Sequence, residues 1–85
     1  MHNEWISVKD RLPKTNDKYL CCCRNKYIRI LGFAKSLYSV DRHTFANEHR
    51  SGFYEYDSEY GYYEWSGVTH WMPLPELPKE GADSG

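Results

Sequence analysis

Hydrophobic positions along this chain recur at strand spacing, and no segment carries the three-to-four-residue apolar stripe of a helix. Trp5-Ile6-Ser7-Val8 opens as a short strand, and Pro13 ends it in a turn by biasing Leu12 toward extended geometry. Pro13 to Asp17 is a polar loop. Lys18 to Arg24 follows as a second strand, with Tyr19, Leu20 and three cysteines forming an apolar run. Asn25-Lys26 reads as a hairpin turn, since asparagine tolerates positive φ. Tyr27 to Ala34 is the return strand, with Ile28, Ile30 and Ala34 on one face and Tyr27, Leu31 and Phe33 on the other. Two apolar faces place this hairpin at the centre of a sheet, and Gly32 marks a bulge or a close approach.

Ser36 to Val40 is a candidate extension of that sheet. Asp41 to His49 offers only Phe45 and Ala46 among polar groups, which fits a loop better than one or two helical turns. Alternation resumes at Phe53 to Asp57, with Tyr54 and Tyr56 on one face. Ser58 to Gly61 turns the chain, Tyr62 to Trp65 returns it, and Ser66-Gly67 leads into a last strand, Val68 to Met72. Pro73, Pro75 and Pro78 are expected to stop ladder pairing there. The predicted architecture is mainly β: a small antiparallel sheet or partly open barrel with at most one short helix. One domain is expected over residues 1–78, with residues 79–85 as a flexible tail. The first and last strands should lie close together at the edges, Trp5 and Trp71 serving as anchors with Leu12 and Leu74 packed nearby.

Composition narrows the function classes. The chain has 85 residues and a formal charge of −1, so general nucleic-acid binding is not expected. No run approaches the ~18 apolar residues of a membrane span. The amino terminus lacks a signal peptide's basic and apolar regions, so the chain is expected to stay inside a cell. Cys21, Cys22 and Cys23 are contiguous and odd in number, unlike a disulfide framework. Neighbours on a strand point to opposite faces and cannot converge three thiolates on one ion. They read as small hydrophobes in a buried strand. His43 and His49, with Asp41 and Glu48, match no compact ligand spacing, and neither a metal nor a cofactor is expected.

Aromatic content changes the picture more. Eight tyrosines, three tryptophans and three phenylalanines are many for so short a chain. Cross-strand pairing of Tyr54, Tyr56, Tyr63 and Trp65 around a thin core accounts for some of them. The remainder calls for a pocket or a contact between protomers. Aromatic faces stack bases and guanidinium groups pair with phosphates. On that chemistry the candidate ligand-binding residues are Arg11, Arg42, Arg50, Tyr54, Tyr56, His70 and Trp71. Glu55, Asp57, Glu59 and Glu64 interleave with the tyrosines, as suits either a solvated face or a basic partner. No nucleophile elbow, phosphate-cradling glycine loop or H-E-x-x-H motif occurs, and the cysteines lie in the wrong setting for a reactive thiolate. Asp10, Arg11 and His70 are better read as turn and strand residues than as an acid–base group, so no enzyme is expected.

Two segments carry a resemblance. Trp5-Ile6-Ser7-Val8-Lys9-Asp10-Arg11-Leu12-Pro13 and Val68-Thr69-His70-Trp71-Met72-Pro73-Leu74-Pro75 resemble the two blocks that bracket a variable middle in domain-of-unknown-function family 551. Leu77 stands where many such proteins carry a further proline. The family's members are short proteins of bacteriophages, prophages and their hosts, which implies the cytoplasm of a bacterial host as the location. The resemblance implies an accessory protein that acts by binding a host protein or a nucleotide-derived alarm signal. The function expected is that of a non-catalytic, homo-oligomeric anti-defence sponge for a nucleotide-derived immune signal. The alternative is an interaction module that inhibits a host defence or nucleic-acid enzyme.

Overall fold

A computed structural model describes residues 4–75. The chain folds into one open sheet of six antiparallel strands: β1 (Ile6–Ser7), β2 (Asp17–Cys23), β3 (Ile28–Ala34), β4 (Gly52–Asp57), β5 (Gly61–Glu64) and β6 (Val68–Pro73). A single 3-10 turn, Leu37–Ser39, is the helical content of the described residues. Strand order across the sheet is β1-β6-β2-β3-β4-β5. The mainly β, antiparallel expectation is therefore met, as an open sheet. The expected tail, residues 79–85, lies outside the described residues.

Local chemistry explains each hairpin. Between β2 and β3 the left-handed residue is Lys26, at φ 72°, while the Asn25 carboxamide accepts a bond from the Tyr27 N–H at 3.4 Å. Asparagine thus serves the turn through its side chain and leaves the positive φ to its neighbour. The β4–β5 turn closes on Gly61 at φ 86°, with Asp57 Oδ1 accepting from the Glu59 and Tyr60 N–H groups at 2.7 and 3.0 Å.

Alternation divides the sheet into two unlike faces. Tyr19, Cys21, Leu31, Phe33, Phe53 and Trp71 form the buried cluster on one face. Tyr19 and Trp71 meet edge to face at 5.2 Å, as do Phe33 and Phe53 at 5.1 Å. The loop after β1 is tied to this face. The Trp71 indole N–H donates to the Arg11 carbonyl at 2.9 Å, the Tyr19 hydroxyl to the Thr15 carbonyl at 3.0 Å, and Pro13 is buried. Cys21 and Cys23 are buried on the same face, as expected for cysteine used as a small hydrophobe. Burial and the neighbouring Cys23 push the Cys21 thiol up to about 12.

Several expectations need correction. The first and last strands do pair, Ile6 facing Trp71 and Ser7 facing His70, but β6 is not an edge: it runs between β1 and β2. Pro73 does not stop the ladder and is the last residue of β6, opposite Tyr19. Of the two tryptophan anchors, Trp71 is buried whereas Trp5, Leu12 and Leu74 are exposed. Ser36 to Val40 does not extend the sheet. Leu37 leaves it in the 3-10 turn and packs on Gly52, where an added Cβ would lie 2.9 Å from Leu37 Cδ1. Residues 41–50 form turns without a helix, as favoured, and fold back through Leu37 N–H to Arg50 O and Tyr38 N–H to Glu48 O, both 2.9 Å. The ladder's bulge lies at Cys22–Cys23 opposite β6, while Gly32 serves a close approach.

Candidate functional site

The second face of the sheet is where the unexplained aromatics collect. Leu37 covers its corner at Gly52, where Ala34 is buried too, while Ile28, Ile30 and Tyr56 lie open. Cross-strand register sets the pattern: Lys18 faces Gly32, Gly32 faces Tyr54 and Tyr54 faces Glu64. In the adjoining row Met72 faces Leu20, Leu20 faces Ile30, and Tyr56 faces Tyr62.

Gly32 makes the site. The Tyr54 ring lies flat on its bare backbone, so close that a Cβ at Gly32 would come within 2.4 Å of Tyr54 Cζ. A glycine in mid-strand costs conformational entropy, and here the space it leaves is filled by a cross-strand aromatic. Tyr62 stands edge-on to both neighbours, 5.9 Å from Tyr54 and 4.9 Å from Tyr56 between centroids. The three rings, with Ile30, Gly32, Lys18 and Glu55, line a hollow of about 450 Å³, and the Glu55 carboxylate is already engaged by Arg29 and Tyr63. Loss of solvation, with Tyr62 adding to it, raises the Tyr54 hydroxyl above its ordinary 10.0, so the phenol stays neutral and able to donate. An aromatic floor, the neutral Tyr54 hydroxyl and the Lys18 side chain suit a flat ligand with an anionic arm.

The candidate residues separate once placed. Tyr54 and Tyr56 share the hollow. Arg50 does not line the hollow and is already engaged, bonding Glu48 at 2.8 Å and both Glu64 oxygens at 2.6 and 2.7 Å. Those bonds raise the Arg50 pKa further and hold Glu64 below the usual carboxylate value. Arg42 is exposed in the 41–47 turns. His70 is on β6 opposite Cys22, with Nδ1 2.9 Å from the Thr69 hydroxyl. Arg11 lies across the sheet, where its carbonyl holds Trp71, and Trp71 is buried in the core. Tyr62, Lys18 and Gly32 join the hollow without having been singled out for it. The expected four-residue turn, 58–61, would have set Tyr63 opposite Tyr56; the turn spans only 58–60, Asp57 pairs with Gly61, and this brings Tyr62 opposite Tyr56 instead.

Tyr63 and Trp65 belong to a separate cluster on the core face. Arg29 bonds both Glu55 oxygens at 2.8 and 3.0 Å, stacks 4.6 Å over the Trp65 ring, and shares Glu55 with the Tyr63 hydroxyl at 2.9 Å. Trp65 Nε1 donates to Cys23 Sγ at 3.1 Å. Glu55 takes up one guanidinium nitrogen of Arg29 with both oxygens while Arg29 Nε is buried without a partner among the described residues, and the cluster reads as a clasp between β3, β4 and β5. Among the described residues no three His, Cys, Asp or Glu side chains converge as metal ligands, and no helix is long and apolar enough to cross a membrane.

No curated protein and no solved structure matches this chain. A family profile does, over residues 4–79, under the description "Protein of unknown function (DUF551)". That span contains all six strands and both sequence blocks, which the sheet brings side by side as β1 and β6. The chain belongs to the DUF551 family.

Proposed function

We propose that this protein is a non-catalytic binding protein that sequesters a nucleotide-like small molecule in the tyrosine hollow of its open sheet face. The observation that carries the reading is the Tyr54 ring seated on Gly32, with Tyr56 and Tyr62 beside it and Lys18 at the border. The base stacks on a tyrosine face, and the phosphate pairs with Lys18. A hollow of about 450 Å³ falls within the size range of small-molecule sites. In the phage setting that the family resemblance implies, stoichiometric capture of a nucleotide-derived immune signal blunts a host defence without turnover.

Titration calorimetry against a panel of cyclic and adenosine-ribose nucleotides tests this. A dissociation constant below about 100 μM is expected for at least one of them. Tyr56→Ala should weaken it about tenfold to a hundredfold, as the loss of one stacking ring does. A panel in which no member binds overturns the reading.

A second reading has its own observation: Ile28, Ile30 and Tyr56 are aliphatic and aromatic groups more than half exposed in one area, as on a protein-binding surface. An interaction module inhibiting a host enzyme through this face would recover one stoichiometric partner from host lysate, and Ile28→Lys would abolish the recovery.

A further inference from the structure

The open face presents a band without charge across five of the six strands. Met72 on β6, Leu20 on β2 and Ile30 on β3 follow one another in register; Ile30 adjoins Tyr56 on β4, which faces Tyr62 on β5. Ile28 lies one step along β3 from the band. Ile28, Ile30 and Tyr56 are 60%, 54% and 60% exposed. Residues this apolar at the centre of a sheet normally face a second layer. Here the chain spends its loops on the other face and on the Gly52 corner.

We propose that a second copy of this chain covers the open face through a two-fold axis at Ile30, and that the partner's side chains occupy the tyrosine hollow when no ligand is bound. The first argument is size. The six strands hold thirty-two residues, and at about 3.3 Å rise and about 4.8 Å spacing they give a footprint of about 500 Å². With side-chain relief this is the scale of the roughly 800 Å² per partner that a stable pair buries.

The second argument is self-complementarity. Ile30 is the middle member of the band, with two aliphatic residues on one side and two tyrosines on the other. A two-fold axis parallel to β3 lays Leu20 and Met72 of each copy on Tyr56 and Tyr62 of its mate. Thioether and aliphatic groups pack well on tyrosine rings. The same operation sets Lys18 of one copy over Tyr54 of the other, one strand from Glu64. Charge and ring pair across the contact, and no like charges are opposed. Two sheets stacked about 10 Å apart form a sandwich whose interior these side chains fill, so the partner and a ligand compete for the hollow. The residues after Pro75 are a poorer cover by composition, because Leu77 is their one large aliphatic side chain.

The pairing stands on the exposed band; its effect on the hollow rests on the ligand reading above. Sedimentation equilibrium of the full chain, free of ligand, should give twice the 10.1 kDa chain mass. Ile30→Lys should weaken the pair by about 30-fold or more, as loss of a central anchor does. Leu12→Lys, a change at an exposed leucine off this face, should leave the pair intact. A monomer at 100 μM, on the order of a weak association constant, overturns the proposal. So does a full-length monomer that dimerises once the chain is ended at Pro75, which would make the carboxy-terminal segment the occupant. A dimer that binds no nucleotide removes the ligand and leaves the pair. A chain that is monomeric without ligand and still binds nucleotide one to one removes the pair and leaves the hollow.

Discussion

A methyl group at Gly32 would lie 2.4 Å from Tyr54 Cζ, so Gly32→Ala must lift a ring that Tyr62 and the β3 backbone hold down. Overpacking of this kind costs about 1–3 kcal/mol, measurable as a lowered urea midpoint. Tyr54→Ala in the same chain should recover part of the loss, since the methyl then enters open space. Cys21 gives a residue-scale prediction of opposite chemistry. Its thiol rises from the usual 9.0 to about 12 through burial and the adjacent Cys23. The folded state therefore holds a proton that the unfolded chain releases first. The stability this supplies is complete below about pH 9 and is lost as pH climbs toward about 12. Cys21→Val should flatten the alkaline arm of a stability–pH curve. At this scale the sequence was legible for the cysteines, whose company of apolar neighbours announced burial, and for Tyr54 and Tyr56, whose spacing announced a shared face. It was not legible for Arg50. A guanidinium available to phosphate and one clamped by Glu48 and Glu64 read alike until the 37–50 segment has folded over β4.

Among the elements, β1 depends most on a single contact. It is two residues long, and the segment after it is held by the Trp71 indole donating to the Arg11 carbonyl. Trp71→Ala removes that donor and the edge-on partner of Tyr19 together. A loss of about 3–5 kcal/mol is expected, seen in thermal or urea melts. The 37–50 segment is anchored electrostatically. Arg50 holds Glu64 below its ordinary 4.5, so the stability from Glu64 is full above that value and is lost as pH falls below it. Glu64→Gln should reduce the acid sensitivity of folding between about pH 5 and about pH 3. Hairpins were the elements most readable in advance, because turn residues and alternation are local. Leu37 was misread as a strand residue because nothing near it in sequence reveals that Gly52, fifteen positions on, offers a notch for its side chain.

For the whole molecule, strand order predicts a gradient of protection. Strands β2 and β3 are paired on both sides, while β1 and β5 each have one partner. Amide exchange followed by NMR should find the slowest hydrogens in β2 and β3 and the fastest at β1 and β5; uniform protection would contradict this order. An antiparallel sheet was foreseeable from composition and punctuation, but not which of its faces the loops would cover, because that choice is made by distant contacts such as Trp71 with Arg11. The place of β6 also bears on how the protein is made. A ribosome delivers β1 first, yet the strand that β1 pairs with is produced after the other four. A nascent chain halted before Val68 therefore carries an amino-terminal strand with no berth and a β2 edge lacking its neighbour. Such truncated products should fail to mature and be cleared by proteases, which makes translation of the last strand the event that commits the polypeptide to its native form.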